Sequence, residues 1–129
     1  MSRKYYIAGF SFGLMGVILG AFAAHGLKLL LSEAAIGSFE TGVKFQIYHA
    51  LLLLILGNMN KEPGRFWKWI LILLVTGIIL FSGSIYLLAT NSLTSFDFSV
   101  IALVTPLGGG LLIFCWGILL FHFLKLKKE

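Results

Sequence analysis

The chain has 129 residues, of which 59% are hydrophobic and only 12% are charged. Soluble domains carry about 25% charged residues, and a soluble fold of this length could not bury so much apolar surface. The composition therefore predicts one small membrane domain, residues 1–129. The net charge of +5 comes without a basic run interleaved with aromatic residues. We therefore expect the lipid bilayer, and no nucleic acid, as the partner of these charges.

Four apolar segments are long enough to cross the hydrocarbon layer, which takes about 20 helical residues. The predicted fold is all-α: a polytopic membrane protein with four transmembrane helices in an up-down bundle. Residues Ala21, Phe22 and Ala23 resemble a signal-peptide cleavage site. Five glycines in the first segment, and three further spans after it, favour a retained helix. The predicted spans are residues 6–27, 41–58, 66–90 and 98–124.

Basic residues divide the connections between these spans into two classes. Only Lys28 and Lys44 lie in the first and third connections. The other eight lie before the first span, between the second and third spans, or after the fourth: Arg3, Lys4, Lys61, Arg65, Lys68, Lys125, Lys127 and Lys128. Short loops rich in Lys and Arg stay in the cytoplasm. The pattern predicts a multi-pass protein of the cell (inner) membrane with both termini cytoplasmic.

The first span carries a stripe of glycines at Gly9, Gly13, Gly16 and Gly20. At 100° per residue these positions share one helix face. Small residues spaced in this way let a second backbone approach closely inside a membrane. We predict that the stripe packs against another helix of the bundle, with homodimerisation as the alternative.

The first connection has an amphipathic pattern that predicts a short interfacial helix over residues 28–36. Gly37 is expected to break this helix, and Ser38 to cap the next one. The second connection has Pro63 followed by Gly64, which predicts a turn.

The fourth span contains Pro106 near its start, and two interpretations compete. Thr105 could cap a helix in which Pro106 is the first residue. Alternatively the helix begins near Phe98 and is kinked at Pro106, which frees the carbonyl of Ala102. We favour the kinked helix, because the residues after Phe98 are too apolar for a water-exposed loop.

The predicted topology gathers the notable polar residues of the spans in the outer half of the bundle. A structural hydrogen-bond network, a shallow binding site, and a haem or metal held between His25 and His49 are the three interpretations. Two histidines without a carboxylate in the spans are a weak signal, so no metal or cofactor is expected. His49 is expected to bond across the bundle to Tyr86, Ser84 or Thr105. The candidate residues are His25, Gln46, His49, Ser84, Tyr86, Thr105 and Pro106.

Catalytic signatures are missing from the sequence. Residues 9–13 (GFSFG) match the letters of G-x-S-x-G, but they lie within the first apolar span and not at the strand-to-helix turn that this motif requires. The sequence has no HExxH, no paired acids and no phosphate-binding loop. Cys115 is the single cysteine, so neither an intrachain disulfide nor a CxxC metal motif can form. We therefore predict no catalytic residues and no enzymatic activity.

Four sequence segments together resemble one known family. They are residues 20–27 (GAFAAHGL), 41–51 (TGVKFQIYHAL), 81–86 (FSGSIY) and 105–109 (TPLGG). In this order they resemble domain-of-unknown-function family number 423, small four-span inner-membrane proteins with a eukaryotic small transmembrane relative. Ala23 departs from the family pattern, which usually has Gly there. The resemblance implies a bacterial inner-membrane protein and no particular activity or cofactor.

The leading hypothesis is therefore a non-enzymatic structural or accessory membrane subunit with a polar cap in the outer half of the bundle. Its partners would be the bilayer and either a second copy or another membrane protein. A small-solute or ion transporter or channel component is the alternative, supported by the broken-helix signal at Pro106. A haem- or metal-binding bundle through His25 and His49 is the third hypothesis.

Overall fold

The computed structural model describes residues 2–59 and 64–126. Within them lie five α-helices: α1 (Ser2–His25), α2 (Glu33–Met59), α3 (Arg65–Ile78), α4 (Ser84–Ala89) and α5 (Val104–Lys125). The predicted turn residue Pro63 and the cations Lys61, Lys127 and Lys128 lie outside the described residues. The described part of the chain contains no strand, which confirms the all-α prediction.

Four helical segments of the described residues are long and apolar enough to cross a membrane. α3 and α4 form one of them, because a π-helical turn (Ile79–Gly83) joins them without interrupting the helix. A 3₁₀ turn (Phe98–Ile101) precedes α5 and is part of the fourth segment. The four segments are Ser2–Leu29, Glu33–Met59, Arg65–Ala89 and Phe98–Lys125. The prediction of a four-span membrane protein is confirmed.

The helices pack as neighbours in an up-down order. α1 lies along α2, the third segment lies between α2 and α5, and α5 packs on α3. We call the end where α1 begins and α5 finishes the terminal end, and the opposite end the loop end. Large apolar side chains fill the middle and terminal end, with Leu53, Ile70 and Leu74 fully buried. A second cluster at the loop end surrounds Ala23 and Phe39.

The glycine stripe of α1 faces α2. A Cβ added at Gly9 would lie 2.6 Å from Leu54, and one added at Gly16 would lie 2.8 Å from Ile47. A Cβ at Gly20 would lie 3.3 Å from the side chain of Val43. A Cβ at Gly13 would lie 4.0 Å from its nearest neighbour, the Cβ of Ala50. The tight contacts are therefore at Gly9 and Gly16, where a side chain would separate the two helices.

The connection between α1 and α2 differs from the predicted interfacial helix over residues 28–36. It contains only a 3₁₀ turn (Leu27–Leu29), and α2 already begins at Glu33. The Ser32 hydroxyl accepts a hydrogen bond from the backbone N–H of Ala35 at 3.2 Å, so Ser32 is the residue that caps α2. An N-cap serine followed by an acid suits a helix start. Gly37 and Ser38, predicted to break and cap helices, therefore lie inside α2.

The start of α5 also differs from the favoured prediction. α5 begins at Val104, and the 3₁₀ turn before it is a separate element. Pro106 is the third residue of the helix, where a backbone N–H would have no intrahelical acceptor. The prediction of a helix kinked in its middle at Pro106 is therefore wrong. Thr105 is not the cap either, because it already lies inside the first turn.

Candidate functional site

The third segment crosses α5 so closely at Gly108 that their main chains are almost in contact. A Cβ at Gly108 would lie 2.4 Å from the amide nitrogen of Phe81 and 2.7 Å from the carbonyl carbon of Leu80. Phe81 and Leu80 belong to the π-helical turn. π-helical turns are rare and occur mostly as single turns within α-helices, often at functional sites. The Gly108 contact brings Ser84 and Thr105 into the same region.

Ser82 and Tyr86 join the third segment to α2. They are four residues apart and share a face. The Ser82 hydroxyl donates to the carbonyl of Gly42 at 2.7 Å, and the Tyr86 hydroxyl donates to Oε1 of Gln46 at 2.6 Å. A Cβ at Gly42 would lie only 2.8 Å from the Tyr86 ring, so the glycine permits this close approach.

Gln46 connects three segments through one buried amide. Its Nε2 donates to the carbonyl of Phe12 in α1 at 2.8 Å, while its Oε1 accepts from Tyr86. The side chain is 4% exposed, and an unpaired amide at this depth would be costly. Both ends of the amide have a protein partner, which is consistent with a structural role.

Ser84 faces away from α2 and toward α5. Its hydroxyl donates to the carbonyl of Phe81 at 2.9 Å and lies 2.5 Å from the hydroxyl of Thr105. Since Ser84 has a single hydroxyl proton, Thr105 is the donor of the second bond. The pair therefore joins the third segment to the first turn of α5.

His49 is bonded to α5 through Trp116. Its Nδ1 lies 2.7 Å from the carbonyl of Phe45, and the Trp116 indole N–H donates to Nε2 at 2.9 Å. The carbonyl needs a donor and the indole needs an acceptor, so the ring is neutral with its proton on Nδ1. The prediction that His49 bonds Tyr86, Ser84 or Thr105 is wrong, because His49 lies about one helical turn further from the loop end than they do.

His25 does not approach His49. Gly13 lies opposite Ala50, the neighbour of His49, and His25 is twelve residues further along α1, or about 18 Å. His25 is exposed at the end of α1. The described residues contain no group of three or more His, Cys, Asp or Glu that could hold a metal ion. The haem or metal arrangement through His25 and His49 is therefore not formed.

Several cavities lie beside these bonds, among them an apolar one of about 450 Å³ that Ser84 and Tyr86 line, and two others. The larger of these two, about 500 Å³, is a cleft at the loop end between the first turns of α2, α4 and the start of α5. Thr105 and Pro106 line this loop-end cleft, together with Ala35 and Ser38. The smaller, about 260 Å³, is an apolar pocket between α2 and α5 beside His49 and Trp116. Of the candidate residues, only Thr105 and Pro106 lie in the cleft.

Trp116 and Ser82, which bond His49 and the carbonyl of Gly42, are not among the candidate residues of the sequence analysis. Trp116 could have been predicted from the sequence, because it lies in the middle of the fourth span and not at an interface. A tryptophan at that depth needs an acceptor for its indole N–H. The backbone acceptors at Gly42 and Phe12 could not have been predicted in this way, since every residue carries a carbonyl.

The fold and the paired polar groups define a small four-span integral membrane protein. The chain belongs to the family described as protein of unknown function (DUF423), whose model matches residues 19–109.

Curated bacterial relatives cover nearly the whole chain. A UPF0382 membrane protein of Staphylococcus epidermidis is 36% identical over 123 residues, which are 95% of this chain and 97% of the relative. A UPF0382 membrane protein of Haemophilus influenzae is 34% identical over 99% of both chains. The UPF0382 inner membrane protein YgdD of Escherichia coli is 35% identical over 95% of this chain and 88% of its own. No solved structure matches the chain.

Proposed function

We propose that this protein is a non-enzymatic structural or accessory subunit of the bacterial inner membrane. The observation that supports the proposal is the pairing of polar side chains between spans. Tyr86 bonds Gln46, and Trp116 bonds His49. A catalyst or transporter needs polar groups directed at a substrate. Here the side chains that could serve are occupied by neighbouring helices, which suits a rigid bundle that presents its surface to a partner.

The two outermost helices supply that surface. α1 and α5 are the least buried of the four segments, with 17% of residues buried in their most apolar windows, against 44% for α2. Val17 on α1 and Ile113 on α5 are among their exposed large side chains. A partner helix, from another membrane protein or a second copy, would pack on one of these faces.

Site-specific photocrosslinking in growing cells tests this proposal. A photoreactive amino acid at Val17 or Ile113 should yield a discrete protein adduct, whereas one at the buried Leu53 should yield none. The adduct from Val17 or Ile113 should disappear when untagged protein is overproduced, because a specific site saturates. Lipid adducts alone at a full scan of both helices would contradict an accessory role.

Transport of a small solute is a second candidate, favoured by the loop-end cleft beside the Pro106 turn. Discontinuous helix starts next to a cavity are a feature of transporter binding sites. Proteoliposomes loaded with a pH dye or a potassium dye should show no flux above empty vesicles if the accessory role is right. A flux that Thr105→Val abolishes, with the fold intact, would support transport instead.

We propose in addition that both termini face the cytoplasm, on the basis of the division of Lys and Arg. Cysteines placed at Ser2 and Ser95 test this with a membrane-impermeant thiol reagent. Ser95→Cys should be labelled in intact cells, and Ser2→Cys only after permeabilisation. The native thiol of Cys115 is buried, so the unmodified protein serves as the unlabelled control. The reverse labelling pattern would refute the orientation.

A further inference from the structure

We propose that the terminal end of the bundle binds the headgroups of anionic phospholipids through Arg65 and Lys68 of α3 and Lys125 of α5. We call these three residues the basic cluster. The inference concerns a lipid site and does not depend on the accessory role.

The charges of the described residues are separated between the two ends. Besides the basic cluster, Arg3 and Lys4 in the first turn of α1 lie at the terminal end. All described carboxylates lie at the loop end: Glu33, Glu40 and Asp97. Glu62 and Glu129 are outside the described residues. In the sequence as a whole, eight of the ten cations and two of the five acids lie in residues 3–4, 61–68 and 125–129. Among the described residues, the terminal end carries five cations and no acid.

Ring contacts bring the start of α3 against the end of α5. The His122 ring stacks on Phe66 with centroids 4.3 Å apart and planes 19° from parallel. Trp67 meets the same ring edge-on at 5.5 Å. The start of α1 joins them, because the Tyr5 hydroxyl donates to the carbonyl of Trp67. The three helix ends that carry the cations of the terminal end therefore lie against one another.

This area carries the residue types that are expected at the level of the lipid phosphates. Trp67 and Trp69 lie on the first turns of α3, and tryptophan is typical of the membrane interface. Lys125 extends over the ring of Phe121, with Nζ 4.6 Å from its centroid. The anion that a bilayer holds at this level is the phosphodiester of its own lipids. Basic pockets between transmembrane helices on the cytoplasmic side are known to bind such headgroups.

The dipole of α3 supplies a further reason for an anion here. Arg65 and Lys68 lie in the first turn, where a helix favours negative charge, and that turn contains no acid. The cap residue Gly64 offers no side-chain hydrogen bond. A nearby lipid phosphate would offset the repulsion between the helix dipole and the two cations.

Quenching of tryptophan by brominated lipids tests the proposal in reconstituted full-length protein. Bromines near the headgroup end of the acyl chain should quench Trp67 and Trp69 more than the mid-bundle Trp116. Brominated phosphatidylglycerol should compete for this site better than brominated phosphatidylcholine, by at least about fivefold, because one basic residue near an anionic surface contributes about that factor. The double substitution Arg65→Gln/Lys68→Gln should lower this ratio at least about fivefold.

A matched pair of loop-end cations is the control. Lys28→Gln/Lys44→Gln removes the same charge and should leave the ratio unchanged. Equal binding of the two lipids by the unmodified protein, or an equal loss in the control pair, would overturn the proposal. Displacement by millimolar inorganic phosphate would also overturn it, because the site would then take any anion. Lys125→Gln, on a different helix, gives the test if the α3 variant fails to fold.

Discussion

Trp116 donates its indole N–H to Nε2 of His49 at 2.9 Å, which ties the fourth span to the second. The same histidine uses Nδ1 to bond the carbonyl of Phe45, one turn earlier in α2. Both ring nitrogens therefore have a partner in the hydrocarbon layer. Such pairing explains how an imidazole can lie 4% exposed among apolar side chains without a counter-charge.

The first prediction is that the His49–Trp116 bond contributes measurable coupling between α2 and α5. His49→Leu and Trp116→Phe should each lower the free energy of unfolding. The double variant should cost less than their sum by about 0.6–1.7 kcal/mol, the range of interhelical bonds in membranes. Unfolding in mixed micelles, monitored by circular dichroism of the helices, measures the free energy of unfolding of the parent protein and of the three variants. Additive losses would show that the bond does not stabilise the bundle.

The second prediction concerns the backbone contact at Gly108. Gly108→Ala should cost about 1–3 kcal/mol or more, because its Cβ would meet main-chain atoms of the π-helical turn that cannot rotate away. Gly110→Ala is the matched control, since nothing lies within 4 Å of its Cβ position. It should be neutral or stabilising by up to about 1 kcal/mol, as alanine favours helix. Equal thermal stability of the two variants would argue against the observed crossing.

The third prediction uses two glycines of the same stripe. Gly9→Ala should destabilise by about 1–2 kcal/mol, because the added Cβ would lie 2.6 Å from Leu54 and 3.0 Å from the carbonyl of Ala50. Gly13→Ala, with 4.0 Å to its nearest neighbour, should leave the melting temperature unchanged or raise it slightly. If both variants melt together below the parent protein, α1 does not pack on α2 in the observed register.

The number of spans could be predicted because it depends on the composition of long segments. A helix of 20 apolar residues is the simplest way to satisfy every backbone group in lipid. The ends of the helices are harder to predict, since each depends on one or two hydrogen bonds. Ser32 and Ser38 are both plausible caps, and only the bond from Ala35 to Ser32 decides between them. The sequence around Pro106 likewise fits either a kinked helix or a first helical turn, and the start of α5 at Val104 decides between them.

The polar site could be predicted as a set but not as pairs. Gln46 bonds Tyr86 and Ser84 bonds Thr105, because lipid leaves buried polar groups no other partners. Helical spacing gives the face of each residue but not its depth relative to other helices. For this reason helical spacing assigns the wrong partners to His49, which lies about one turn deeper. Its true partner depends on the relative shift of α2 and α5, which no local pattern encodes.

The last prediction concerns Asp97, in the loop before the 3₁₀ turn that leads into α5. Its carboxylate accepts a hydrogen bond from the backbone N–H of Ser99 at 3.0 Å. This bond lowers the pKa of Asp97 below its ordinary value of 3.8. A depressed pKa means that the contribution to local order is present above the unfolded pKa and lost as pH falls through the folded one.

Amide exchange of Ser99 should therefore accelerate on acidification below about pH 4, where a free aspartate protonates. Asp97→Asn retains an acceptor oxygen without the titrating charge, so its Ser99 exchange should lack this additional acceleration. The intrinsic pH dependence of exchange is removed by reference to an unstructured peptide of the same sequence. An unchanged protection factor in the native protein between neutral pH and pH 3 would show that Asp97 does not order this turn.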